Sequence, residues 1–208
     1  MAQNIFDQIA KKYDSPKQQA LAKVIRQEIE KEWGNQSDKR VLDFGCGTGL
    51  ISLPFAGKVK QLFLVDVSSE MTKITQEKIT QQGLLNTTVL TADFLQDLPT
   101  FKVDTILVSL VLLHIPQTAE ILQRLADMLT ESGQLIIVDF DKNPLVYHER
   151  VHNGFEQTML QQMLSKNFSK VHSRTFYEGD HLFMNQAATM FILHAEKNEM
   201  LKPLPLVN

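Results

Sequence analysis

Val41-Leu42-Asp43-Phe44-Gly45-Cys46-Gly47-Thr48-Gly49-Leu50 is the stretch on which the reading of this 208-residue chain turns. An apolar run ends in a carboxylate, and three glycines at alternate positions then lead into a predicted helix over 50–56. Glycine is needed where a backbone must turn sharply or approach a ligand with no Cβ in the way. A helix start adds free N–H groups and the positive end of the helix dipole. Dinucleotide loops of the GxGxxG type hold a pyrophosphate with this geometry. Here the third glycine comes one residue early, and Leu50 takes the last motif position. Asp43, just before the loop, would repel a pyrophosphate but could receive a cationic amino group. The loop therefore favours a zwitterionic ligand over a diphosphate.

Working outward, apolar runs at 41–44, 62–65, 88–91, 105–110 and 135–140 predict strands, and 68–82 and 118–129 predict helices. Strand–helix alternation with apolar runs on both faces means a parallel sheet covered on both sides. Gly133 is expected to cap the 118–129 helix. Upstream, Asp14-Ser15-Pro16 reads as a cap with proline in the first turn. Leu21, Ile25, Ile29 and Trp33 then recur at helical spacing until Gly34 stops them. Ile5, Phe6 and Ile9 mark a short helix ending near Lys12. Downstream, Phe155, Met159 and Met163 mark another helix. Residues 170–177 and 187–195 read as an antiparallel edge pair joined around Glu178-Gly179-Asp180. The methionines, Met184 included, are expected to fill core, and Lys166, Lys170, His172 and Arg174 to form a solvated basic strip.

Acids recur where ligands bind in open α/β sheets, at the carboxyl ends of strands. Asp66 ends the second strand, where a carboxylate can take both hydroxyls of a ribose. Asp93 follows the third and can accept from an adenine amino group, and Ser109 lies near the end of the fourth.

Composition narrows the remaining classes. The chain is 43% apolar and 22% charged, with net charge −3 and pI near 6.1, so no global field attracts nucleic acid or anionic membrane. The longest apolar stretch, 105–115, is broken by Ser109 and His114 and is too short to cross a bilayer. Residues 1–7 lack the basic-then-apolar pattern of a secretory signal. A lone cysteine, Cys46, builds neither an internal disulfide nor a cysteine metal site and suits a reducing cytoplasm. The expected setting is cytoplasmic, with a small-molecule partner, no nucleic acid and no membrane.

On these motifs the sequence resembles the class I S-adenosylmethionine-dependent methyltransferases of small-molecule type, related to the quinone-biosynthesis enzymes, over residues 13–196. The resemblance makes Asp43, Gly45, Cys46, Gly47 and Gly49 the first cofactor motif and Asp66 the ribose acid. Val67 and Met71 would line the adenine pocket, with Asp93 and Phe94 at its edge and Tyr13 contributing from the N-terminal cover. Glu131-Ser132-Gly133 before the fifth strand resembles a further family element. The implied fold is a three-layer α/β/α sandwich with a mostly parallel seven-stranded sheet, its last strand antiparallel. Residues 1–38 would be a helical cover, 39–196 the core and 197–208 a loose tail. The implied cofactor is S-adenosyl-L-methionine, leaving as S-adenosyl-L-homocysteine. The fourth strand ends Val108-Ser109-Leu110-Val111, not in the Asn-Pro-Pro-Tyr type motif of amino-directed nucleic-acid methyltransferases, and there is no Pro-Cys nucleophile.

Methyl transfer needs alignment and sometimes a base, not a covalent nucleophile from the protein. The candidates are His114, just beyond the fourth strand, and Tyr147, His148 and His152 after the fifth, with Tyr13 from the N-terminal cover, and the acceptor pocket is expected between these segments. A spacing of four would put His148 and His152 on one helical face. With Glu149 this could also frame a metal site, but no third ligand follows at convincing spacing, so a solvated polar turn is the favoured reading and no metal is expected. Two other readings stay open: a non-catalytic protein that keeps the cofactor pocket, and a nicotinamide-dependent dehydrogenase, which the early third glycine and Asp43 disfavour.

Overall fold

In the computed structural model, residues 2–97, 99–149 and 151–198 are described, with side chains from residue 5 onward. Helices α1 (Ala2–Ile9) and α2 (Pro16–Glu32) precede strand β1 (Arg40–Phe44). There follow β2 (Gln61–Asp66), α3 (Ser69–Gln82), β3 (Thr87–Thr91), β4 (Val103–Ser109), α4 (Thr118–Met128) and β5 (Leu129–Phe140). The chain then forms α5 (Gln157–Leu164), β6 (Phe168–Phe183) and β7 (Gln186–Lys197).

The seven strands form one sheet in the order β3-β2-β1-β4-β5-β7-β6. β1 pairs in parallel with β2 on one side (Leu42 opposite Phe63) and with β4 on the other (Leu42 opposite Ile106). The strand order therefore reverses between β1 and β4, and a crevice opens at their carboxyl ends. β1, β2 and β4 are almost wholly buried, which is why they read as continuous apolar runs. β7 runs antiparallel to both β5 and β6, in accord with the expected sandwich and its antiparallel end.

Local chemistry sets the helix ends. Ser15 accepts from the Gln18 N–H at 3.3 Å with Pro16 in the first turn, and Gly34 takes φ +61° after α2. Ser68 likewise accepts from the Met71 N–H at 3.1 Å, and Gly83 closes α3 in the left-handed region. Asp7 of α1 accepts from the Ser68 hydroxyl, which docks the N-terminal segment onto α3.

Several expectations are corrected. The helix over 50–56 is absent; the Leu53 N–H closes a turn on the Gly49 carbonyl, and a 3₁₀ segment, Leu53–Lys58, follows. Pro54 has no N–H to donate and Gly57 lowers helical preference, so no α-helix forms in so short a stretch. Gly133 does not cap α4, which passes directly into β5; Gly133 lies inside β5, and Ser132 takes the positive φ, +59°. The β6–β7 turn is Met184-Asn185, both at positive φ, rather than 178–180, which continue β6. α5 buries Leu160 and Leu164, leaving Met159, Met163 and Met184 partly exposed instead of filling core. Of the expected C-terminal tail, residues 199–208 lie outside the described residues.

The basic strip is also more than a solvated face. Arg174 pairs with Glu28 and Glu32 of α2, His172 reaches Glu32 at 3.3 Å, and Lys170 meets Glu196 at 2.7 Å. The Arg174 and His172 pairs fasten α2 to β6, and the Lys170 pair ties β6 to β7. Because Arg174 is 43% exposed, solvent screens it; Arg174→Ala is expected to cost about 1 kcal/mol. A denaturant midpoint equal to that of the parent chain would show the fastening to be inert.

Candidate active site

The carboxyl ends of β1, β2, β3 and β4 surround a cavity of about 610 Å³. Asp66 ties its floor together. One carboxylate oxygen accepts from the Gly47 N–H at 2.8 Å and the other from the Ser68 N–H at 2.9 Å, coupling the glycine loop to the start of α3. Burial raises the Asp66 pKa from the usual carboxylate value, and Asp7 adds to the rise, while the N–H donors oppose it.

Each loop glycine has its own reason. A Cβ on Gly45 would collide with the Val111 side chain, and one on Gly49 would meet Leu53 at 2.7 Å. Gly47, at φ +52°, has only a Tyr13 ring carbon within reach, at 3.9 Å, so its bare backbone opens on the cavity. Beneath the loop, the Thr75 hydroxyl donates to the Gly47 carbonyl at 2.8 Å, and Lys78 donates to the Thr48 carbonyl at 2.7 Å. The loop is thus held from below and free above.

The cavity brings together Tyr13, Gly45, Gly47, Asp66, Val67, Met71, Asp93, Phe94, Ser109 and His114. Phe94 packs against Phe44 with ring centres 5.1 Å apart, and Asp93 is held by the Leu95 N–H and the Gln96 side chain, each at 3.0 Å. Asp43, Cys46 and Gly49 stand outside it. Asp43 is buried under the loop, where burial, with help from Asp66, pushes its carboxyl up to about 7 against the pull of Ser52. Cys46 borders a small adjoining cavity of about 50 Å³ shared with Tyr13 and Gly45, and burial pushes its thiol well up.

The three histidines separate. His114 ends a 3₁₀ turn, Leu112–His114, and packs edge-on against Phe6 of α1 with centroids 5.0 Å apart. Burial, reinforced by His148, lowers its pKa to about 4, so the ring is neutral at physiological pH. His148 is exposed and does not line the cavity, and neither does His152. Residues 142–149 and 151–156 form an irregular loop with Gly154 at φ +94°, in keeping with a polar turn and not with a helical face carrying both histidines. Among the described residues, no group of three His, Cys, Asp or Glu side chains is placed to hold a metal ion. Nor is any described helix long and apolar enough to cross a membrane.

Sequence reasoning passed over Phe6, Val111, Ile115 and Gln117, which also line the cavity. Phe6 was visible only as part of an amphipathic α1. The others follow β4, where the run 105–115 reads as strand and loop with no ligand signature.

Comparison with known proteins decides the family. A model described as "Methyltransferase domain" matches residues 35–201. The chain belongs to this methyltransferase domain family. An uncharacterized methyltransferase of Schizosaccharomyces pombe is 30% identical over 125 residues, covering 56% of this chain and 44% of that protein. A ubiquinone biosynthesis O-methyltransferase of Aeromonas salmonicida is 26% identical, covering 55% and 48%. The methyltransferase-domain chain thus spans about half the length of these curated relatives. Its fold is shared with a SAM-dependent methyltransferase structure from Aquifex aeolicus, at TM-score 0.68 and 20% identity over 92% of this chain and 98% of that one.

Proposed function

We propose that this chain binds S-adenosyl-L-methionine in the 610 Å³ cavity and directs its methyl group to a small-molecule acceptor. The observation that carries this reading is the joint exposure, in one cavity, of the Asp66 carboxylate and the bare Gly47 backbone, flanked by Phe44, Val67 and Met71. A strand-end carboxylate suits a ribose diol, and apolar walls suit an adenine ring. When bound, the cofactor supplies an electrophilic methyl on a sulfonium. The protein's own part is to hold, orient and exclude water. Tyr13 and Phe6 close the cavity from the N-terminal segment, residues 1–38, which serves as a cover for the 39–196 core. A reducing compartment, the cytoplasm, suits the single buried thiol.

Incubating the protein with cofactor labelled on the methyl and a small-molecule extract tests the assignment. Label in a new small molecule supports it. Tight cofactor binding with no transfer to any fraction would favour a non-catalytic binding protein instead.

His114 is assigned to the acceptor side of the cavity, as a neutral acceptor or positioning group. His114→Ala should lower turnover by about tenfold or more, within the range of one lost acid–base group. The dissociation constant for S-adenosyl-L-homocysteine should change less than about twofold. Because burial lowers the His114 pKa to about 4, the neutral form prevails above that pH, so its titration should leave no inflection in turnover near pH 6.5. Unchanged turnover in His114→Ala would move the acceptor pocket elsewhere.

A further inference from the structure

Asp139, near the end of β5, is fully buried and lies outside the cavity, yet its carboxylate is directed at the turn that carries His114. One oxygen accepts from the Leu113 N–H at 3.3 Å and the other from its neighbour Phe140 at 2.8 Å. The carbonyl of the same Leu113 accepts from the His152 N–H at 2.8 Å. The peptide units immediately before His114 are therefore gripped from β5 on one side and from the loop after β5 on the other. A carboxylate buried in apolar surroundings is costly, and this one directs a hydrogen-bonding oxygen at the main chain of the turn that carries His114.

We propose that Asp139 is a positioning residue, which fixes His114 against Phe6 at the acceptor side of the cavity by holding the Leu112–His114 turn. The inference rests on the methyltransferase reading only for what His114 is positioned to do; the grip itself stands on the hydrogen bonds. Burial pushes the Asp139 carboxyl up to about 7, against the main-chain donors Phe140, Leu113 and Leu112.

The test follows His114 by NMR, which needs no acceptor, alongside binding of S-adenosyl-L-homocysteine. In Asp139→Ala the turn loses its carboxylate and His114 becomes hydrated. Its titration midpoint should rise from about 4 toward the ordinary value by about one pH unit or more. Ring contacts between Phe6 and His114 should weaken, while S-adenosyl-L-homocysteine affinity stays within about twofold of the parent. Asp139→Asn, which keeps one acceptor oxygen, should restore part of both signals. Parent-like His114 titration in a folded Asp139→Ala chain overturns the proposal. So does failure of both variants to fold, which would make Asp139 a residue of the core alone. Absence of S-adenosyl-L-homocysteine binding in the parent would instead count against the methyltransferase reading and leave the NMR result to stand by itself.

Discussion

Gly47→Val should abolish cofactor binding, by about 100-fold or more in affinity, in a chain that still folds. The two halves of this expectation have separate physical grounds. Folding survives because an added Cβ meets no protein atom closer than the Tyr13 ring at 3.9 Å. The cost to the fold is the left-handed backbone at φ +52°, on the order of 1–2 kcal/mol for a residue with a Cβ and somewhat more for a β-branched one. Binding should fail because the valine methyls would project into the cavity that Gly47 lines. Gly47→Ala should fall between the two. Calorimetric titration with S-adenosyl-L-methionine, beside a thermal melt, separates the effects. Parent-like affinity in Gly47→Val would make the loop a turn and no more. Gly45 and Gly49 cannot serve as this probe, since their Cβ atoms would strike Val111 and Leu53 and disturb the fold first.

How far the sequence could be read follows from what each signal measures. The central strands were legible because burial on both faces leaves an apolar run with no other explanation. The strand-end placement of Asp66, Asp93 and Ser109 was legible for the same reason, since a polar residue closing such a run lands at the crevice. The 50–56 segment misled because its apolar residues carry helical spacing, while Pro54 and the loop geometry forbid the α-helix. The β6–β7 turn misled because Gly179 is the obvious breaker, whereas the chain turns on Met184 and Asn185, the former a poor turn residue by composition. The surroundings of His114 were least legible. His114 was found as a polar residue in an apolar run, but the clamp on its turn runs through main-chain N–H and carbonyl groups of Leu113, which no side-chain pattern records. His148 and His152 drew attention by spacing, and the spacing has meaning only in a helix, whereas the described residues there form an irregular loop.

Asp66→Ala should weaken cofactor binding by about one to two orders of magnitude, and here the structure sharpens the reason. Hydrogen bonds to a charged group contribute roughly 1.5–3 kcal/mol, and about 1.4 kcal/mol is tenfold in affinity. Asp66 would lose its own bonds to the ribose hydroxyls and would also release the Gly47 and Ser68 N–H groups it holds. Asp66→Asn separates these contributions: one oxygen still accepts, the charge is gone, and the loop is only half untied. Affinity in Asp66→Asn should therefore lie between the parent and Asp66→Ala. The pH dependence carries a sign as well. Burial raises the Asp66 pKa, so the carboxylate is protonated at higher pH than an ordinary aspartate as pH falls. Parent affinity should then decline on acidification sooner than an exposed carboxylate would dictate, and Asp66→Asn should lack that decline. A dissociation constant in folded Asp66→Ala equal to the parent's would remove Asp66 from the cofactor site and leave it as the clasp between the glycine loop and α3.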